Sequence, residues 1–144
     1  MAATVQVTFD CADPGALSLF WNEVLGYRLD SPPPPYQTWD EALDAWNIPK
    51  ERRNDASASV DPDGVGPRLW FQKVPEGKTA KNRVHLDVRT HSDLDGDERM
   101  AALEKRAAEL IALGATTLWR VEPDAINKGH ITMADPEGNE FCLD

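Results

Sequence analysis

Cysteine, histidine and positive charge are all scarce in this chain. Two cysteines, Cys11 and Cys142, cannot build a disulfide scaffold, and reduced thiols in a cytoplasmic protein are the expected state. Fifteen Lys and Arg stand against 25 Asp and Glu, a formal charge of −10, and the basic residues form no long run. Such a surface repels phosphate backbones, so nucleic acid is not expected as a partner. No apolar run approaches the ~20 residues needed to cross a bilayer, which argues against a membrane protein. The opening MAATVQVTFD has no basic stretch leading into an apolar block, so no secretory signal is expected. What is present, 144 residues with 41% hydrophobic content, suits one compact domain.

The chain then reads as one plan written twice. Val5, Val7 and Phe9 alternate with Gln6, Thr8 and Asp10, the period of a strand with one apolar face. Asp13-Pro14 supplies a helix cap and first residue, because the carboxylate accepts from free amides and proline has none to lose. Leu17, Phe20, Trp21, Val24 and Leu25 make one helical face, and Gly26 closes it. Strands are expected over 27–30, 56–60 and 68–74, with Leu69 and Phe71 on one face and Trp70 and Gln72 on the other. Trp39, Leu43 and Trp46 predict a short inserted helix. Its tryptophans read either as core anchors or as a lid over a ligand.

In the second half Val84, Leu86 and Val88 alternate with His85 and Asp87, and a helix is expected from about Asp97 to Leu113. Its buried stripe would be Met100, Leu103, Ala107, Leu110 and Ile111, with Gly114 at the end. Strands follow over 116–121, 130–134 and 140–143, with a turn at Asp135-Pro136-Glu137-Gly138-Asn139 before the last. The expectation is an α+β fold of two βαβββ modules, 1–78 and 79–144, forming one cupped mixed sheet in a single domain over 1–144.

Three phrases carry a family resemblance. They are Asp13-Pro14…Phe20-Trp21…Leu25-Gly26-Tyr27, Val74-Pro75-Glu76…Lys81-Asn82-Arg83-Val84-His85-Leu86-Asp87, and Asp135-Pro136-Glu137-Gly138-Asn139-Glu140-Phe141-Cys142. With the duplicated plan, they resemble the glyoxalase-like subgroup of the vicinal oxygen chelate superfamily, which includes glyoxalase I, bleomycin-resistance proteins and ring-cleaving dioxygenases. The resemblance implies cupped sheets that hold a metal, a ligand or both, and a homodimer.

It also implies four metal-ligand positions, which fall on Gln6, Trp70, His85 and Cys142. Tryptophan cannot ligate and Cys142 replaces a carboxylate, so no metal cofactor is expected; a divalent ion, if bound, would rest on Gln6 and His85. Side chains of both modules are expected to face a shared hollow. Its candidate ligand-binding residues are Gln6, Thr8, Trp39, Trp46, Trp70, Gln72, His130 and Cys142. His85, with Asp10 or Asp87, is the candidate for proton transfer.

The expected function is binding of a small aromatic or planar molecule without a complete metal site. One alternative is a metal-independent isomerase, cyclase or lyase using His85. Another is a divalent-metal-dependent lyase or dioxygenase.

Overall fold

The computed structural model describes all 144 residues, Met1–Asp144. The chain divides into two compact units, Met1–Gly77 and Lys78–Asp144, called module one and module two below. Its eight strands are hydrogen-bonded as two four-stranded mixed sheets, one in each module. No helix is long and apolar enough to cross a membrane.

Module one runs β1 (Gln6–Cys11), α1 (Pro14–Leu25), β2 (Arg28–Leu29), α2 (Trp39–Ala45), β3 (Ala56–Val60) and β4 (Arg68–Lys73). Its strand order is β1-β4-β3-β2, with β1 parallel to β4 and the other pairs antiparallel. The capping chemistry is as the sequence predicts. The Asp13 carboxylate accepts from Ala16 N at 3.1 Å, Pro14 opens α1, and Gly26 ends it at φ 70°, a left-handed conformation that costs glycine little. Thr38 and Glu41 form a reciprocal capping box at the start of α2.

Strand alternation sorts the side chains of module one. Leu69 and Phe71 point under α1, where Phe9 stacks on Phe71 with centroids 5.2 Å apart and meets Trp21 at 5.0 Å. Ser57 faces the same helix, its hydroxyl 2.8 Å from that of Ser18. Full burial of a Leu or Phe side chain stabilises by roughly 1.5–3 kcal/mol, so this layer holds the module together. The opposite face carries Gln6, Thr8, Asp10, Arg68, Trp70 and Gln72, with Ala56 and Ala58 beside them.

Module two runs β5 (Leu86–Val88), α3 (Gly96–Ala112), β6 (Thr116–Val121), β7 (His130–Ala134) and β8 (Glu140–Leu143), in the order β5-β8-β7-β6. Met100, Leu103, Ala107 and Leu110 line the inner face of α3, and Ile131, Met133, Phe141 and Leu143 are buried in the sheet. Asp135 shapes the last turn by accepting from the amides of Glu137 and Asn139 at 2.9 and 3.0 Å.

Three packing expectations are corrected. Val5 and Val84, assigned to the layer under the helices, are exposed, because pairing begins only at Gln6 and Leu86 and leaves both on unpaired chain. Ile111, assigned to the buried stripe of α3, is half exposed, since it sits one position round from Leu110. Arg99 takes an inner place instead. Only 3% exposed, it donates to the carbonyls of Lys128 and Gly129 and to Asp144.

Candidate functional site

Module one contains a cavity of about 460 Å³, lined wholly by its own residues. The inserted segment between β2 and β3 makes it. Its lining includes Trp39 and Leu43 of α2, Trp46 at the end of that helix, Leu29 of β2, and Ala58 and Trp70 of the sheet. Trp39 and Trp46 are 38% and 46% exposed, too open for core anchors, and their rings meet at 6.5 Å with an interplanar angle of 69°. Tyr36 extends the group, edge-on to Trp46 at 5.8 Å. Small residues at 56 and 58 leave room in front of the strand that a larger side chain would fill.

Two clamps hold the roof. Trp39 Nε1 donates to the Asp30 carbonyl at 2.7 Å. Arg53 donates to the Ile48 carbonyl from Nε at 3.2 Å, to Asp40 from Nη1 at 3.4 Å, and to Asp44 from Nη2. Hydrogen bonding to Arg53, reinforced by its charge, holds the Asp44 carboxyl below its ordinary range.

Arg68 joins Gln6 to the edge of this site. Its Nη1 donates to Gln6 Oε1 at 2.8 Å, its Nε donates to Asp30 at 2.9 Å, and its guanidinium carbon lies 5.2 Å from the Trp70 ring centroid. Asp10 accepts from Gln72 Nε2 at 2.7 Å on the same sheet face, and Thr8 lies between Gln6 and Asp10 in the strand. None of Gln6, Thr8, Asp10 and Gln72 lines the cavity.

The remaining candidates gather in module two. His85 Nε2 lies 3.2 Å from Asp87 Oδ1, and one donor atom each from His85, Asp87 and Cys142 lie within 4.8 Å of one another. Cys142 is buried with its sulfur 3.4 Å from the Thr132 hydroxyl. Burial pushes its thiol up and the Asp87 charge adds to this, so the sulfur is kept protonated and is not a ready nucleophile. His130 opens β7, half-buried. Glu140, also buried, is held by Lys81 at 3.0 Å and by the Asn82 amide at 2.8 Å, and the Lys81 hydrogen bond sets its carboxyl below the ordinary range.

Several site residues escape the sequence reading. Arg68 was legible in principle, because the alternation that puts Trp70 and Gln72 on one face puts Arg68 there too. Leu29, Ile48 and the small pair Ala56 and Ala58 give no chemical signal; only the path of the insertion brings them to the cavity.

The ligand set implied for a divalent ion does not fit these residues. Gln6 Oε1 is already engaged by a guanidinium, whose charge opposes a cation there, and Trp70 offers no donor atom.

Paired βαβββ modules, each with one helix laid over a four-stranded mixed sheet, define a distinct class of α+β architecture. The sequence matches the glyoxalase-like domain over residues 6–143, and the chain belongs to that family. No curated protein matches it. Solved structures share the fold. A glyoxalase/bleomycin resistance protein/dioxygenase family enzyme from Burkholderia phytofirmans PsJN is 18% identical with a TM-score of 0.63, over 99% of this chain and 97% of that one. A possible glyoxalase from Bacillus cereus is 16% identical with a TM-score of 0.60, over 99% and 98%. A point mutant of the fosfomycin resistance protein FosX from Listeria monocytogenes, complexed with Mn(II) and 1S,2S-dihydroxypropylphosphonic acid, is 9% identical with a TM-score of 0.64, over 99% and 89%.

Proposed function

We propose that this chain binds a small, planar, largely apolar molecule in the cavity of module one, beneath the α2 roof. The supporting observation is the cavity itself: about 460 Å³, within the ~300–1,000 Å³ usual for small-molecule sites, with Trp39, Trp46 and Trp70 in its lining. Flat aromatic walls favour a flat occupant, because offset stacking adds roughly 0.5–1.5 kcal/mol per ring pair beyond area burial. Binding here requires no metal, and the manganese and phosphonate of the Listeria structure do not suit a site where Arg68 engages Gln6 and Trp70 fills a ligand position.

The test is a fluorescence titration with N-phenyl-1-naphthylamine, a neutral planar dye that brightens in apolar surroundings. Saturable binding is expected, weakened about tenfold in Trp46→Ala, the equivalent of ~1.4 kcal/mol. An unchanged dissociation constant in that variant would place the dye elsewhere and reject this reading.

A second reading, proton transfer by His85, is favoured by the 3.2 Å contact to Asp87, which would orient the imidazole. Under it, His85→Ala abolishes turnover of a substrate while leaving dye affinity in module one unchanged.

A further inference from the structure

The charge of the occupant can be narrowed, an inference that rests on the binding reading above. Two cations line the cavity, Arg52 and Arg53, and both already have carboxylate partners. Arg52 Nε donates to Asp55 at 3.1 Å. The Arg53 guanidinium has every nitrogen in use, shared among Asp40, Asp44 and the Ile48 carbonyl, and these contacts raise its proton affinity further. The indole N–H of Trp39 is likewise committed to Asp30.

An anion entering the cavity therefore finds no unengaged nitrogen on Arg53, the more buried of the two cations at 18% side-chain exposure against 66% for Arg52, of which Nε alone is engaged. Two guanidinium groups stand against the three carboxylates of Asp40, Asp44 and Asp55, on a chain whose formal charge is −10. A charge brought out of water needs a partner there, and the less exposed guanidinium, that of Arg53, is already shared between two carboxylates and a carbonyl. The carboxylates are no freer for a cation, since each is paired with an arginine. We propose that the cavity selects an uncharged planar molecule and rejects its anionic analogue, with the Arg53–Asp44 pair as the element that sets this preference.

A matched pair of dyes tests this on the full chain. N-phenyl-1-naphthylamine and 8-anilinonaphthalene-1-sulfonate share one ring system and differ by a sulfonate. The readout is the ratio of their dissociation constants, with binding at this cavity assigned through Trp46→Ala. The neutral dye is expected to bind about tenfold or more tightly. Asp44→Asn frees part of Arg53 and is expected to shrink the ratio several-fold by strengthening the sulfonate. Because the ratio is read, any loosening of the roof that weakens both dyes alike cancels. A ratio near one in the unaltered chain, or one that Asp44→Asn leaves unmoved, overturns the charge preference while the cavity reading stands. Failure of the neutral dye to bind at the cavity rejects both.

Discussion

The two modules use the same βαβββ order and the same helix-over-sheet core, yet the aromatic cavity of module one is built on a segment that module two lacks. The difference lies in one connection. Between β2 and β3, module one inserts residues 30–55, including α2; between β6 and β7, module two uses only residues 122–129. The insertion brings Trp39, Leu43 and Trp46 to a cavity whose lining also includes small residues at 56 and 58. In β8 of module two, by contrast, Glu140, Phe141, Cys142 and Leu143 are all buried, so both strand faces are occupied. The cavity is thus a property of the insert placed on the fold, not of the fold alone.

The shared core gives the largest expected effect. Phe71 and Phe141 lie on the strands that pair in parallel with β1 and β5, and both are fully buried. Phe71→Ala and Phe141→Ala should each cost ~3–5 kcal/mol in chemical denaturation. Costs differing by several kcal/mol would break the equivalence of the two cores.

The cavity gives the next effect. Trp70→Ala should weaken binding of the neutral dye by roughly tenfold or more, whereas Trp119→Ala in module two should leave it unchanged. Equal losses would dissolve the distinction between the modules. Titrating zinc or manganese during the same measurement should leave affinity unchanged, and strong activation by either ion would contradict a metal-free site.

Acid gives the smallest effect and acts on both modules. Asp44 in module one and Glu140 in module two both titrate below their ordinary values, near 3.8 and 4.5, because Arg53 and Lys81 hydrogen-bond to them. The folded state thus binds these protons less readily than the unfolded chain. The stability they contribute is complete above those values and is lost as pH falls through the lower folded ones. Unfolding midpoints should be flat for these groups near neutrality and drop below about pH 4. Asp44→Asn should flatten part of that drop, and an unaltered acid limb in this variant would remove Asp44 from the account.

The legible part of the molecule was the part set by local chemistry. Asp13-Pro14 and Gly26 bound a helix because capping and positive φ are properties of single residues, and the alternation over 68–73 sorted Leu69 and Phe71 from Trp70 correctly. The 39–46 spacing announced a helix but left its role open, since spacing does not say what lies opposite. Sheet pairing begins at Gln6 and Leu86, and this exposed Val5 and Val84 against their alternation. Arg53 and Arg99 gave no signal, because their partners, Asp44 and Ile48 for one and Gly129 and Asp144 for the other, are assembled only by the fold.

The central claim is tested most directly by nitrogen-15 NMR of the indole N–H groups during titration with N-phenyl-1-naphthylamine. The chain has five tryptophans. The signals of Trp39, Trp46 and Trp70 are expected to move with the dye while those of Trp21 and Trp119 stay in place. Movement of Trp119 with the other three unmoved would contradict a binding site in module one.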